Sequence, residues 1–560
     1  MSGFDYIALL LYVVGVFAIS VLSAHRIVNQ KDMFSAGRQA PWWASGLSGF
    51  MTMFSAGTFV VWGGIAYKFG IVAVMINTCY GIAALLAGYL VAGRWNQLGV
   101  STPAEYIQLR FGTTGLHFYT WTMMLKRILG VSVSLYALAV LLVALIPLEP
   151  GHPLRDPVTG NLSFSWAVAV FGAIVVIYTM VGGLWAVLMT DVLQFIVLTL
   201  VVMMVAVLMM AQIGNPIALA KTLPDGFFLP TTTEYGWLFL AGWVTINFFM
   251  VGAEWAFVQR FLAVKSPLDA RKSAYLFGVM YLVTPVFWLL PPLLYRGTNP
   301  GVNPEQAYIL AAQSVLPVGV LGLMFAAMFS ATASMVSSQL NVFAGVLTND
   351  FYRRLLNPTA SEKRLVTVGR LFTALLGFAL VLVAILVPYL GGAEKLIISV
   401  NSLLVVPLLA PALWGMFSRS IGVVDMCIVA LTSFAIGAAV RFGMSIDDKN
   451  MEVLIGVVLP ILMLCVIQRL RGRSVNAGWI AVEQQCDAAA PMILGSDEIQ
   501  SPDPLPAQMV IASLFVCAFG MFALAILSQS GQWIIFTFGA VLLLIAVVIH
   551  LSVRRLVSGN

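Results

Sequence analysis

Charged residues are scarce in this 560-residue chain, 9% of the total where soluble domains carry about 25%. Hydrophobic residues make up 61% and the mean hydropathy is +0.97, which together exclude a water-soluble globular fold. Cysteine is rarer still. Cys79, Cys427, Cys465, Cys486 and Cys517 are scattered, four of them in apolar runs, so a disulfide framework is excluded. The four histidines, His25, His117, His152 and His550, stand apart and suggest no metal site. No basic n-region precedes the first apolar run, Tyr6 to Leu22, so a cleaved leader is not expected. Paired catalytic aspartates, His-Glu-x-x-His and Gly-x-Ser-x-Gly are all missing, as are an appended kinase domain and a repeated pore loop. The chain does not read as an enzyme, sensor or channel. The formal net charge of +6 requires no nucleic-acid partner and reads as charge on cytoplasmic loops.

Long hydrophobic runs are what the chain has instead. They fall at 4–24, 42–68, 71–93, 118–146, 164–183, 186–213, 237–262, 273–296, 312–350, 365–388, 394–418, 421–441, 451–469, 506–527 and 532–553. Runs near 20 residues are the length a helix needs to cross hydrocarbon, and the sequence predicts an all-α membrane protein of about 15 transmembrane helices. With the N-terminus outside, 22 of the 29 Lys and Arg residues lie on the inner side, as inner loops require. This places the chain in the cell (inner) membrane, multi-pass, with a cytoplasmic C-terminus.

Spans two to six (42–213) and seven to eleven (237–418) form units of 172 and 182 residues. Five spans per unit put the two in opposite orientations, the 5+5 inverted-repeat plan of secondary transporters, which place their sites at broken helices. Each unit opens on a breakable span: "FSAGTF" (54–59) in the first and "NFFMVGAEW" (247–255) in the second. Outside the repeats, 1–41 reads as an N-terminal extra helix and cytoplasmic loop. Residues 419–560 read as C-terminal extra helices with a mobile cytoplasmic loop at 471–505, rich in Glu, Asp, Gln and Pro.

One stretch inside the ninth span is out of place. "SATASMVSSQLN" (330–341) carries seven polar side chains: Ser330, Thr332, Ser334, Ser337, Ser338, Gln339 and Asn341. Ser334, Ser337 and Ser338 share a helix face. Hydroxyls there either let helices pack closely, bonding back to their own carbonyls, or ligate a hard cation without adding charge.

Six phrases carry a family resemblance that turns the balance toward the ion: "FSAGRQAPWWASGLSGFMTMFSAGTF" (34–59), "TPAEYIQLRFG" (102–112), "GGLWAVLMTDVLQ" (182–194), "FVQRFLAVKSPLDARK" (257–272), "NDFYRRL" (349–355) and "APALWGMFSR" (410–419). In that order they resemble the sodium/solute symporter family over roughly residues 4 to 440. The resemblance implies the leucine-transporter fold and Na+-driven symport, by alternating access, of a small polar solute (sugar, amino acid or carboxylate).

It also implies site residues. The family's common sodium position falls on the carbonyls of Met51, Phe54 and Ala331 and the hydroxyl of Ser334. The chain departs from the pattern at Met335, where a second Ser or Thr is usual and a thioether is a poor Na+ ligand. A second sodium position falls on Asp191, Ser334, Ser337 and Ser338. Asp191 also reads as an interfacial acid cap on the 186–213 helix. Solute-facing positions fall on Ser55, Thr58, Asn77, Arg127, Asn247 and Glu254. The asparagines equally suit inter-helical bonds, Arg127 a positive-inside anchor, and Glu254 a pair with Arg260 or Lys265.

Overall fold

The computed structural model describes residues 3–24, 38–100, 102–179, 184–214, 219, 221–443, 448–494, 532–558 and scattered positions from 508 to 526. Its ordered elements are helical; among the described residues the only β pairing is isolated bridges. Among the described residues, nine helices are long and apolar enough to cross a membrane, ten if one bent pair counts as a single span. Shorter apolar helices lie at Gly3–Tyr12, Phe164–Ile177 and Gly539–Leu551. The expected run at 42–68 is a helix broken in the middle. The run at 506–527 lies largely outside the described residues, as do 25–37, 495–505 and Cys517.

In chain order the helices are α1 (Gly3–Ala24), α2 (Trp42–Thr52), α3 (Gly63–Phe69), α4 (Val72–Gln97), α5 (Pro103–Leu145), α6 (Phe164–Thr179), α7 (Leu184–Ile213), α8 (Trp237–Ala253) and α9 (Trp255–Leu262). There follow α10 (Pro267–Thr298), α11 (Ala307–Val315), α12 (Val320–Val346), α13 (Glu362–Leu386), α14 (Gly392–Trp414), α15 (Val423–Ala438), α16 (Lys449–Arg471), α17 (Ala477–Leu494) and α18 (Gln532–Ser558). Burial sorts them. In α12, 89% of the apolar stretch is enclosed by protein, against 33% in α13 and 28% in α16, so α12 is central and the other two are peripheral.

Local sequence explains where several helices start. Thr102 and Ser266 each precede a proline, and their hydroxyls accept from the backbone N–H of Glu105 (3.3 Å) and Asp269 (3.1 Å). Both satisfy an orphan donor of the first turn while proline fills the position that needs none. The start of α12 borrows its cap: Asp5 Oδ1, from α1, accepts from Gly319 N (2.8 Å) and Gly322 N (3.0 Å). Gly112, at φ +72°, kinks α5 near its start.

The segment expected as a mobile loop at 471–505 instead contains α17. Asn476 caps it, accepting from Gly478 N at 2.9 Å. The helix packs on the ends of α4 and α5, and Arg110 ties the junction. Its guanidinium donates to the carbonyls of Gly415 (3.0 Å), Ser418 (2.9 Å) and Ile421 (2.8 Å) and to Asn476 Oδ1 (3.5 Å). Trp479, Val482, Cys486 and Ala489 recur at helical spacing. This narrow apolar stripe explains why a segment so rich in polar residues docks rather than floats.

Helices α4 and α10 cross closely at paired glycines. A Cβ on Gly81 would stand 2.8 Å from the Gly278 carbonyl, and one on Gly278 would stand 3.0 Å from the Gly81 carbonyl. Gly81→Val is therefore expected to cost about 1–3 kcal/mol through overpacking. Ile82→Val, on the exposed neighbouring residue, should cost about 0.5 kcal/mol or less. Thermal unfolding of the two purified variants tests this, and equal melting temperatures would contradict the close crossing.

Candidate ion and solute site

Helix α2 stops at Thr52, and the chain leaves helical geometry over Met53 to Ser55 before resuming through a π-helical turn, Thr58–Trp62, into α3. Small residues permit the break, and side chains close it. Ser55 N donates to Thr58 Oγ1 (3.3 Å), Gly57 N to Ser55 Oγ (3.1 Å), and Ala56 N to Thr332 Oγ1 on α12 (2.9 Å). Met51 and Phe54 flank the break and are buried. Met51 O accepts from Phe54 N (3.0 Å), and a carbonyl holds a second lone pair for a ligand. Across the Ala56–Thr332 bond stand Ala331 and Ser334, both buried.

Asp191 lies within α7, buried, rather than at the helix start. Its Oδ2 accepts from Ser48 Oγ of α2 (2.5 Å) and its Oδ1 from Ser334 Oγ of α12 (3.3 Å). Arg260 of α9 approaches Oδ2 at 3.8 Å and donates from Nε to Ser48 Oγ at 3.2 Å. Ser337 Oγ donates to the Ser334 carbonyl (3.1 Å), while the Ser338 side chain lies outside the described residues. Ser330 points to another partner, accepting from Gln194 Nε2 at 2.7 Å.

Arg260 is therefore engaged with Asp191, and Glu254 does not pair with it or with Lys265. Glu254 Oε1 instead receives Lys126 Nζ (3.2 Å) and pairs with Arg127, both on α5. The reason is geometric. Glu254 caps α9 at the 52° joint with α8, and Arg260 lies six positions along α9, not the three or four that place two side chains on one face.

A cavity of about 100 Å3 opens beside the first break. Ser55, Thr58 and Arg127 line it, and so does Met335. Asn77 and Asn247 do not. Their amides donate to carbonyls one helical turn back, Ala73 (2.9 Å) and Trp243 (2.7 Å). Among the lining residues that escaped sequence reasoning are Lys126, Ser134, whose hydroxyl lies 3.1 Å from Ser55 Oγ, and Asn401. Asn401 carried a signal, an amide at membrane depth on a span that opens after paired glycines. Ser134 carried none.

Among the described residues, no group of three or more His, Cys, Asp or Glu side chains could hold a metal ion. The oxygens gathered here are hydroxyls, backbone carbonyls and one carboxylate. That set suits a hard monovalent cation and offers nothing to a soft one.

Comparison with known proteins places this geometry. The family profile "SSF: Sodium:solute symporter family" matches residues 33–422. The sodium/sialic acid symporter NanT of Aliivibrio fischeri is 27% identical over 399 residues, covering 67% of this chain and 74% of that protein. The sodium/glucose cotransporter of Vibrio parahaemolyticus is 27% identical over 440 residues, covering 70% and 76%. A solved Na+-coupled sialic acid symporter, substrate-bound and outward-open, shares the fold with a TM-score of 0.70 at 22% identity. That match covers 85% of this chain and 99% of that one. More than half of the sequence thus matches one family of multi-pass membrane transporters, and the chain belongs to the sodium:solute symporter family.

Proposed function

We propose that this protein imports a small solute bearing a carboxylate together with Na+, by alternating access, across the cell inner membrane. In this reading some 15 helices span the bilayer, with the N-terminus outside and the C-terminus cytoplasmic. Two five-helix inverted repeats, 42–213 and 237–418, form the core. Support for the repeats comes from matching features. Each unit opens on a helix broken midway, at Met53 to Ser55 and at Glu254, and the next helices of the two units, α4 and α10, cross at glycines.

The observation that carries the reading is the meeting of three elements at the first break. The network Ser48–Asp191–Ser334 and the bond from Ala56 to Thr332 bring α2, α7 and α12 together around buried oxygens. We assign Met51, Phe54, Ala331 and Ser334 to one Na+ position, and Asp191, Ser334, Ser337 and Ser338 to a second. Met335 weakens the first by one oxygen. The carboxylate strengthens the second, and coupling rests there.

For the solute, Ser55, Thr58, Ser134 and Asn401 offer hydroxyls and an amide, and Arg127 a guanidinium. Lys126 and Arg127 share the single carboxylate of Glu254. The excess positive charge in a desolvated site favours an anionic group, which a guanidinium can hold through two parallel hydrogen bonds.

One Na+ entering down a potential of 100 mV supplies about 2.3 kcal/mol, and a tenfold gradient adds about 1.4 kcal/mol. Together they support accumulation of several hundredfold, on the order of what about 3.7 kcal/mol allows. In proteoliposomes, replacing Na+ with choline is expected to abolish uptake of a small carboxylate, and Arg127→Gln should do the same with Na+ present. Uptake that survives choline and collapses with a protonophore alone would show H+ coupling instead.

The ion assignment has its own test, Na+-dependent thermal stabilisation of the purified protein. Asp191→Asn is expected to abolish the response, and Ser334→Ala to raise the Na+ concentration at half-saturation. Met335→Thr should lower it by restoring the missing oxygen. A lost response in Met335→Thr with Asp191→Asn unaffected would place the ion elsewhere.

A further inference from the structure

On α12, Ser330 is taken up by Gln194 and Ser334 by Asp191, and Thr332 is a further polar residue to which neither the ion nor the solute assignment gives a part. It is fully buried, and its hydroxyl sits between two backbones. The O–H donates to the Met328 carbonyl at 2.8 Å, one turn back on the same helix. That bond uses the only proton and fixes the side chain, so the oxygen can present nothing but lone pairs to its surroundings. One of those lone pairs accepts the N–H of Ala56 at 2.9 Å.

Ala56 N is an orphan donor in the first turn of the second half-helix. Its neighbours find partners within their own segment, Ser55 N on Thr58 Oγ1 and Gly57 N on Ser55 Oγ. Ala56 N alone bonds to another span. The bond therefore fastens the break, with Met51 and Phe54 on one side, to the turn of α12 that carries Ala331 and Ser334 on the other.

The structure assigns Thr332 as a positioning residue: its hydroxyl pins the broken helix to α12 and so sets where Ser334, the hydroxyl shared by both proposed sodium positions, stands relative to the break. This rests on the Na+ symport reading above. Met335, one turn further along α12, gives the bond added weight. A site already short of one oxygen has fewer ligands to hold its two halves in register, so more of that register depends on Thr332.

The test uses the full-length purified protein, titrated with NaCl against choline chloride at constant ionic strength, with melting temperature as the readout. Thr332→Val keeps the shape and removes the acceptor. It is expected to raise the half-saturating Na+ concentration about tenfold, the scale of one buried N–H left unpaired. Thr332→Ser restores the acceptor and should return the value to about twofold of wild type, by the same scale. Thr332→Ala serves as a second deletion should the valine variant fold poorly.

A purely structural role would lower the melting temperature equally in Na+ and in choline and leave the half-saturation point unmoved in Val and Ala alike. That result overturns the assignment while the symport reading stands. A wild-type protein whose melting temperature ignores Na+ overturns both.

Discussion

A helix interrupted in hydrocarbon must find partners for every backbone group it frees, because no water is there to supply them. That constraint fixes much of the central architecture. At the first break the freed N–H groups are met by Thr58, Ser55 and, from α12, Thr332. At the second, the freed carbonyls before Glu254 draw in other helices. Trp95 Nε1 of α4 donates to Gly252 O at 2.6 Å, and the Tyr119 hydroxyl of α5 donates to Ala253 O at 3.4 Å. The two breaks thereby hold α4, α5 and α12 in place. The polar groups that line the site are largely the same ones that make the breaks tolerable.

Much of this was legible in the sequence because it rests on local chemistry. Small residues at "FSAGTF" and an acid after Gly252 mark both breaks, and the Thr-Pro and Ser-Pro starts of α5 and α10 announce their caps. Rotation about a helix axis was not legible. Asn77, Asn247 and Asn401 look alike as buried amides, yet the first two bond back to their own helices and only the third lines the cavity. Partner choice across the fold was equally hidden. Arg260 lies six positions after Glu254 on one short helix, a spacing that puts the two side chains on different faces and so beside different neighbours. Helix α17 was missed because its apolar stripe is narrow and its remaining residues are those of a loop.

The bend at Glu254 has a consequence for coupling. Helix α9 spans only Trp255–Leu262, and with the residue before it carries the partners of both charged clusters. Glu254 holds Lys126 and Arg127 beside the solute cavity, and Arg260 approaches Asp191 at the proposed ion position. On the proposed reading, Na+ at Asp191 competes with Arg260 for one carboxylate, and an anionic solute at Arg127 competes with Glu254 for one guanidinium. Each ligand loosens one end of the same short helix.

Breaking a buried ion pair leaves an uncompensated charge, which costs several kcal/mol unless the incoming ligand replaces the lost partner. On the proposed reading Na+ would replace Arg260 at Asp191, and a carboxylate would replace Glu254 at Arg127. The groups left behind, Arg260 and Glu254, belong to one short element, α9 and the residue before it. On the proposed reading, Na+ at Asp191 takes the carboxylate from Arg260, and α9 shifts only as far as its remaining bonds to Ser48, Ser45 and Asn96 allow. That shift also weakens the hold of Glu254 on Arg127, so the solute meets a guanidinium already partly released. By linkage the solute must favour Na+ binding by the same factor. A coupling of this kind needs no direct contact between ion and solute, only a short helix with opposite charges at its two ends.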